Sequence, residues 1–278
     1  MAYIANNNPA VYDDESYWKE RAKLVDDNYD NNVNTTLKKL KSTYRETYKE
    51  VNEELLKYAG QTGFQYQEKI LEDTLKRIEV ILLGITKLEE NLITTCIKDA
   101  YIMNDKIVND MLNKAFNTKR VLNLPSVSAV EEVLRMPLHD YLFQDRLNIN
   151  KKKLVVNVKK AITDGLIRGT SYEKMAKELE VQMGMGFYNC ERICRTETKR
   201  AVDVSTMKNY QNHGITQYKV YTAHDNRVCK KCQELDGTIH TITTAKAGRD
   251  YLFHPNDRCT LIPVVDITTN VPKYEQNY

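Results

Sequence analysis

Four side chains near the C-terminal end have the types and spacing to hold a metal ion: Cys229, Cys232, His254 and Cys259. Cys229 and Cys232 form a C-x2-C pair within VCKKC, which sets two thiolates on one tight turn. His254 and Cys259 form an H-x4-C pair within HPNDRC. Three sulfurs and one imidazole nitrogen suit a tetrahedral zinc shell. Four protein ligands leave no open position for water, so a site of this kind is structural and not catalytic. The segment between the pairs is too short and polar to build a core of its own, so a metal crosslink would contribute folding free energy directly. His224 and His240 lie nearby and could replace His254 as fourth ligand. His254 is preferred because it shares a turn with Cys259. The competing reading is of ordinary cysteines, reduced or in a disulfide. Asp225 and Asp236 flank the C-x2-C turn, but a closed shell gives paired acids no water to activate.

The surrounding chain is 278 residues long, room for one large domain or two modest ones. No apolar run is long enough to cross a bilayer. The first residues, MAYIANNNPAVYDDES, lack a basic segment and an apolar segment, which predicts no signal peptide. A cytosol-like compartment is therefore expected, where C-x2-C favours metal over disulfide. Charge is unevenly spread. Residues 151–200 carry 12 basic against 6 acidic side chains. Lys151, Lys152, Lys153, Lys159 and Lys160 crowd one stretch and are candidate contacts to DNA, of a weak, sequence-independent and salt-sensitive kind. The plainer reading of the same lysines is a solvated helix face.

The elements that must position these residues are read from periodicity. Residues 1–16 are rich in Asn and Asp and predict a mobile arm. Val33, Leu37, Leu40, Tyr44, Tyr48, Val51, Leu55 and Tyr58 recur in steps of three and four, which predicts one long helix ending at Gly60 and Gly63. A second stripe from Ile70 to Leu92 predicts its partner in an antiparallel hairpin. Helix continues over 101–116, and Pro125 and Pro137 bracket a short helix at 129–134. Further helices are predicted over 150–165, over 172–179 behind a Ser171 N-cap, and over 185–213 up to Gly214. The helix pair around GLIRGTS is loosely spaced and reads as a plain helical hairpin, not a duplex-reading motif. Three strands are then predicted at 217–223, 236–242 and 261–265. The expected fold is α+β. A helical hairpin or assembly region (17–148) precedes a small zinc-stabilised α+β domain (149–266), and a tail (267–278) follows.

The C-terminal third resembles a known family. An Arg-Thr-Glu helix (Arg195, Thr196, Glu197) leads through a strand to an Asp-x-Arg-x-Cys turn (Asp225, Arg227, Cys229). A Leu-Asp-Gly turn (Leu235, Asp236, Gly237) and a His-Pro…Arg-Cys ending (His254, Pro255, Arg258, Cys259) follow. That order, over roughly 155–265, is similar to phage head morphogenesis proteins, the phage Mu F-like minor head protein family. Tyr17, Trp18 and Arg21 match the YW-x-x-R start common in such proteins. One departure is TAKAGRDYLF before His254, where family members often have a proline-rich approach.

The resemblance implies a minor head protein of a tailed bacteriophage, acting in head morphogenesis at the portal and procapsid interior, with a role in DNA packaging or delivery. It implies portal, scaffold or major capsid protein as partners, a place in the virion head, and host cytoplasm during assembly. Structural Zn2+ is the expected cofactor, and neither an enzyme activity nor a small-molecule substrate is expected. Arg195 and Glu197 are expected in a buried or half-buried ion-pair network that docks their helix onto the sheet. Asp225 is expected to accept backbone N–H bonds in its turn, and Asp236-Gly237 to form a turn in which glycine supplies positive φ. The alternatives are a zinc-dependent nucleic-acid-binding regulator and a nuclease- or toxin-like enzyme.

Overall fold

The first apolar stripe lies along helix α1 (Glu15–Thr62), where Val33, Leu40, Val51 and Leu55 are fully buried. The structure, a computed structural model, describes residues 15–116, 125, 127–226 and 228–265. Most of the expected N-terminal arm, the tail and Arg227 therefore lie outside the described residues. Gly63, at φ 62°, carries the left-handed backbone that closes α1. The Tyr58 hydroxyl locks this exit, donating to the Gln65 carbonyl (2.8 Å) and accepting from the Gln67 N–H (3.0 Å).

The second stripe is interrupted. It divides into α2 (Glu68–Gly84) and α3 (Thr86–Ala115) at Ile85. Gly84 precedes the break, and glycine holds helical backbone poorly. The short helix is α4 (Val127–Leu134), and the lysine-bearing helix is α5 (Phe143–Ile167). Asp145 accepts from the Leu142 N–H (3.2 Å) and satisfies one of the free donors at the start of α5. The two helices expected over 172–179 and 185–213 are one helix, α6 (Tyr172–Asn212). Gly184 and Gly186 do not break it, because tertiary packing outweighs their low propensity.

Three strands follow: β1 (Gln217–Tyr221), β2 (Ile239–Thr241) and β3 (Thr260–Pro263). They form an antiparallel sheet in the order β2-β1-β3, with Tyr218 opposite both His240 and Pro263. A short helix, α7 (Lys230–Leu235), lies between β1 and β2 and was not expected from the sequence. The protein is thus mostly helical with a small C-terminal sheet. Among the described residues no helix is long and apolar enough to cross a membrane.

Two compact units divide the chain. One draws on Met1–Asn32, Ile97–Val133 and Thr196–Tyr278, the other on Val33–Cys96 and Leu134–Arg195. Helices α1, α3 and α6 contribute residues to both, so the units do not follow the linear boundary near residue 149.

The first unit holds the sheet. Within it the C-terminal half of α6 is buried although it is polar. Asn104 on α3 donates to the Val202 carbonyl (3.1 Å) and to the Thr206 hydroxyl (3.0 Å). Asn209 donates to Asp105 (2.7 Å) and Ser205 to the Tyr101 carbonyl (3.3 Å). Tyr210 donates to the Leu261 carbonyl (2.7 Å) and ties α6 to β3. These bonds supply the partners that buried polar groups require.

The second unit packs α5 against α2 and the N-terminal half of α6. Lys151 is buried here. It bonds Glu89 at 2.7 Å and the Tyr44 hydroxyl at 3.2 Å, with its ammonium over the Tyr44 ring.

Candidate metal centre

Both ligand pairs lie in the first unit, on the connections around the small sheet. Cys229 is the N-cap of α7, and its sulfur accepts from the Cys232 N–H at 3.5 Å. That local bond is why a C-x2-C segment presents both sulfurs on one side of a helix start. His254 approaches from the connection between β2 and β3. Its Nε2 lies 3.0 Å from Cys232 Sγ and 3.4 Å from Cys229 Sγ. Its Nδ1 lies 2.8 Å from the Pro255 carbonyl oxygen. A carbonyl can only accept, so Nδ1 carries the proton and the Nε2 lone pair faces the two sulfurs, as a metal-ligating histidine requires.

Cys232 also groups with Cys259 and Asp257. Two sets of three donors therefore share Cys232: Cys229, Cys232 and His254 on one side, Cys232, Asp257 and Cys259 on the other. All six cysteines are free thiols. The disulfide reading of the C-x2-C pair is therefore not the arrangement seen. Burial, then the neighbouring Asp257 carboxylate, pushes the Cys259 thiol far up, and burial is also the main cause that lifts Cys232 to about 11. Without a cation both thiols keep their protons, and a bound metal would have to displace them. The donor types would suit a metal ion: Cys229, Cys232 and His254 converge, and Cys259 adjoins them through Cys232.

The other two histidines considered as ligands are engaged elsewhere. His224 Nε2 meets Asp236 at 3.3 Å. His240 Nδ1 meets Asp250 at 3.2 Å, and its Nε2 lies 3.0 Å from the Thr238 hydroxyl.

The turns are pinned by side chains. Asp257 is buried, and its carboxylate accepts from the Phe253 N–H (2.7 Å) and the Cys259 N–H (2.8 Å), stapling the loop that carries His254 and Cys259. Lys231 donates to the Phe253 carbonyl at 2.8 Å. Arg258 donates to both oxygens of Asp225, at 2.6 and 2.9 Å. Asp225 therefore bridges one candidate-ligand turn to the other through a bidentate ion pair. Asp236 accepts from the Thr222 N–H (2.9 Å), and Gly237 at φ 78° makes the expected turn.

Arg195 and Glu197 each have an ion-pair partner on α6. Arg195 pairs with Glu191 (2.9 Å), and the fully buried Glu197 pairs with Arg200. The Thr196 hydroxyl accepts from the Asn256 N–H at 3.4 Å and so touches the ligand loop. The sequence reading missed the charged groups beneath this loop. Lys199 pairs with Asp203, and the charges of Asp257 and Asp26 act on both. Asp26 in turn accepts from the Thr260 hydroxyl at 2.6 Å. The spacing of Lys199 and Asp203 is the one available signal, and it reads equally well as a surface helix pair.

The lysines proposed for DNA are not one surface. Lys151 is withdrawn from that role by its burial against Glu89. Lys159 pairs with Glu79 and Lys160 with Asp164 (2.8 Å), and Lys152 and Lys153 are exposed.

Fold and site together define a mostly helical protein whose small antiparallel sheet carries a cysteine–histidine centre. Residues 156–262 match the family described as Phage Mu protein F like protein. The resemblance read from the motifs holds there. Among curated proteins the chain is similar to the NAD(+)--arginine ADP-ribosyltransferase EFV of Enterococcus faecalis. The two are 31% identical over 162 residues, covering 48% of this chain and 33% of that protein. The chain thus spans about a third of that relative's length. No solved structure matches the chain.

Proposed function

We propose that the protein is a minor head component of a tailed phage, acting in head morphogenesis through protein contacts at the portal and procapsid interior. The observation that carries this reading is the family match over 156–262, which encloses all four candidate ligands. Cys229, Cys232, His254 and Cys259 would hold one structural zinc. The metal would crosslink the α7 turn to the loop before β3, and Asp257 and the Asp225–Arg258 pair would hold those turns in register. No turnover of a substrate is part of this reading, because a saturated shell offers no open coordination position. Contact with DNA, if it contributes to packaging or delivery, falls to Lys152 and Lys153 and is expected to weaken steeply with salt.

The test is the particle. Mass spectrometry of purified virions should find this chain at low copy. Particles assembled without it should be incomplete, empty or poorly infective. Complete, DNA-filled and fully infective particles lacking the chain would overturn the reading.

A second reading is favoured by one observation, the similarity to a protein named as an NAD(+)–arginine ADP-ribosyltransferase. It assigns the chain to a toxin-like enzyme. Incubation with labelled NAD+ and an arginine-bearing acceptor separates the two, since transfer of label supports the enzyme and its absence leaves the head component.

A further inference from the structure

Beneath the candidate metal centre lies one ammonium among several carboxylates. Thr196, Lys199 and Asp203 follow at spacings of three and four on α6 and share one face of that helix. Thr196 shows where the face points, since its hydroxyl accepts from the N–H of Asn256, the residue before Asp257. Lys199 and Asp203 are buried and paired. The charges of Asp257 and then Asp26 also act on Lys199. Both of these carboxylates adjoin Cys259. Asp257 accepts from the Cys259 N–H (2.8 Å), and Asp26 accepts from the hydroxyl of Thr260, the next residue (2.6 Å). Other basic groups around the site are taken up: Arg200 by Glu197 and the Val133 carbonyl, Arg258 by both oxygens of Asp225. Asp203 alone would satisfy Lys199 within α6, and Asp257 adds a second carboxylate from the ligand loop.

We infer that Lys199 is the counter-charge of the metal centre, a positioning residue for the bound ion and not only the partner of Asp203. A divalent ion held by three thiolates and a neutral imidazole has one net negative charge. Asp257 is buried, groups with two of those sulfurs and adds a second negative charge. Such charge withdrawn from water is costly unless a cation faces it, and the fold supplies that cation in Lys199. Lysine suits the task because its ammonium is a compact charge with three donors, able to serve Asp203 and to face the loop. A salt bridge for stability alone would not need charge here, since an apolar pair of like volume packs as well or better. The inference rests on the reading of Cys229, Cys232, His254 and Cys259 as metal ligands, and metal uptake by the unaltered chain tests that reading first.

The probes are Zn2+ and Co2+ alone, titrated into the full chain against a chromophoric chelator. Lys199→Met by itself leaves Asp203 buried without its partner, so it is combined with Asp203→Leu to keep the fold. The double variant should keep the circular dichroism spectrum of the metal-free chain and bind zinc about 10-fold more weakly or worse. Its cobalt complex at saturation should keep the thiolate charge-transfer and d–d bands of the unaltered chain, because the ligands are the same. Asp203→Asn breaks the same ion pair but retains the ammonium, so it should bind zinc at least as tightly as the unaltered chain. A loss of equal size in the two variants would mean that the pair serves the fold alone, and would overturn the inference. So would an unweakened double variant, or changed cobalt bands in it. A double variant that does not fold leaves the decision to Asp203→Asn, whose weaker binding overturns the inference and whose undiminished binding supports it. A chain that takes up no metal would overturn the zinc reading and this inference together, whereas metal bound equally by all three proteins overturns the inference only.

Discussion

Cys232 is the residue common to both sets of candidate donors, and single substitutions should be graded accordingly. Protein purified without chelator should carry about one zinc. Cys232→Ser should lose nearly all of it and lower the melting temperature. Cys229→Ser, which removes an exposed sulfur belonging to one set, should lose less. Elemental analysis with a chelator titration ranks them, and metal-free protein of undiminished thermal stability would count against a structural metal. Asp203 gives a pH prediction. Burial raises its carboxyl to about 7, against the opposing pull of Lys199. The folded state then binds a proton more readily than the unfolded state between the ordinary carboxylate range and neutrality. Asp203 therefore contributes a loss of stability as pH rises from about 4 to about 7. Carboxylates held low, such as Glu15 and Glu54, slope the other way, so the comparison must be with Asp203→Asn. That variant should lack this part of the decline in urea titrations across the window. Lys151 is the residue whose role changes most. Lys151→Met leaves Glu89 buried without its ammonium partner and should cost about 3–5 kcal/mol, most of which Glu89→Leu added to it should restore. An unchanged urea midpoint in the single variant would contradict the buried pair.

Helix α6 is the element on which both units draw, and its glycines separate tolerated from forbidden positions. Gly186→Ala drives a methyl into Leu154 and Tyr44 and should destabilise by about 1–3 kcal/mol. On α5, Gly165→Ala meets Sδ and Cγ of the unbranched Met175 side chain, which adapts more easily than Leu154 or the Tyr44 ring, so the loss should be smaller. Urea midpoints for the two variants decide the order, and the reverse order would place the tight contact at the wrong helix crossing. The same helix explains why the sequence reading split it. Glycine at 184 and 186 lowers local propensity, but propensity is a weak local term, and the buried run from Thr196 to Asn209 holds the helix by tertiary bonds.

At the scale of the molecule, the matched family segment packs with residues from outside it. Its sheet and ligand loop are completed by α1 and α3: Asp26 accepts from Thr260, Asn28 donates to the Ala100 carbonyl, and Asn104 reaches α6. A fragment of residues 149–266 should therefore lack a cooperative unfolding transition even with zinc present. Deleting residues 17–120 should unfold the sheet region instead of leaving it intact, as the linear division into front and back would suggest. Circular dichroism melts of the fragment and the full chain compare directly. A fragment that melts as sharply as the full chain would restore the linear division.

Several features were legible in the sequence because they are local. Val33 to Tyr58 give their helix through period, Asp236-Gly237 gives its turn through the backbone freedom of glycine, and three short strands follow from alternation. The candidate donors were legible because C-x2-C and H-x4-C each fit within a turn, and His254 was preferred to His224 and His240 for its place beside Cys259. Tertiary structure decided whatever depends on partners far away in sequence. Arg258 reaches Asp225 across 33 residues, Lys151 reaches Glu89 across 62, and Thr260 reaches Asp26 across 234. No period or spacing encodes such pairs. A lysine within KKKLVVNVKK looks the same whether it faces water or a buried glutamate. Burial sets the difference, since a charge withdrawn from water must find its counter-charge wherever the fold brings one.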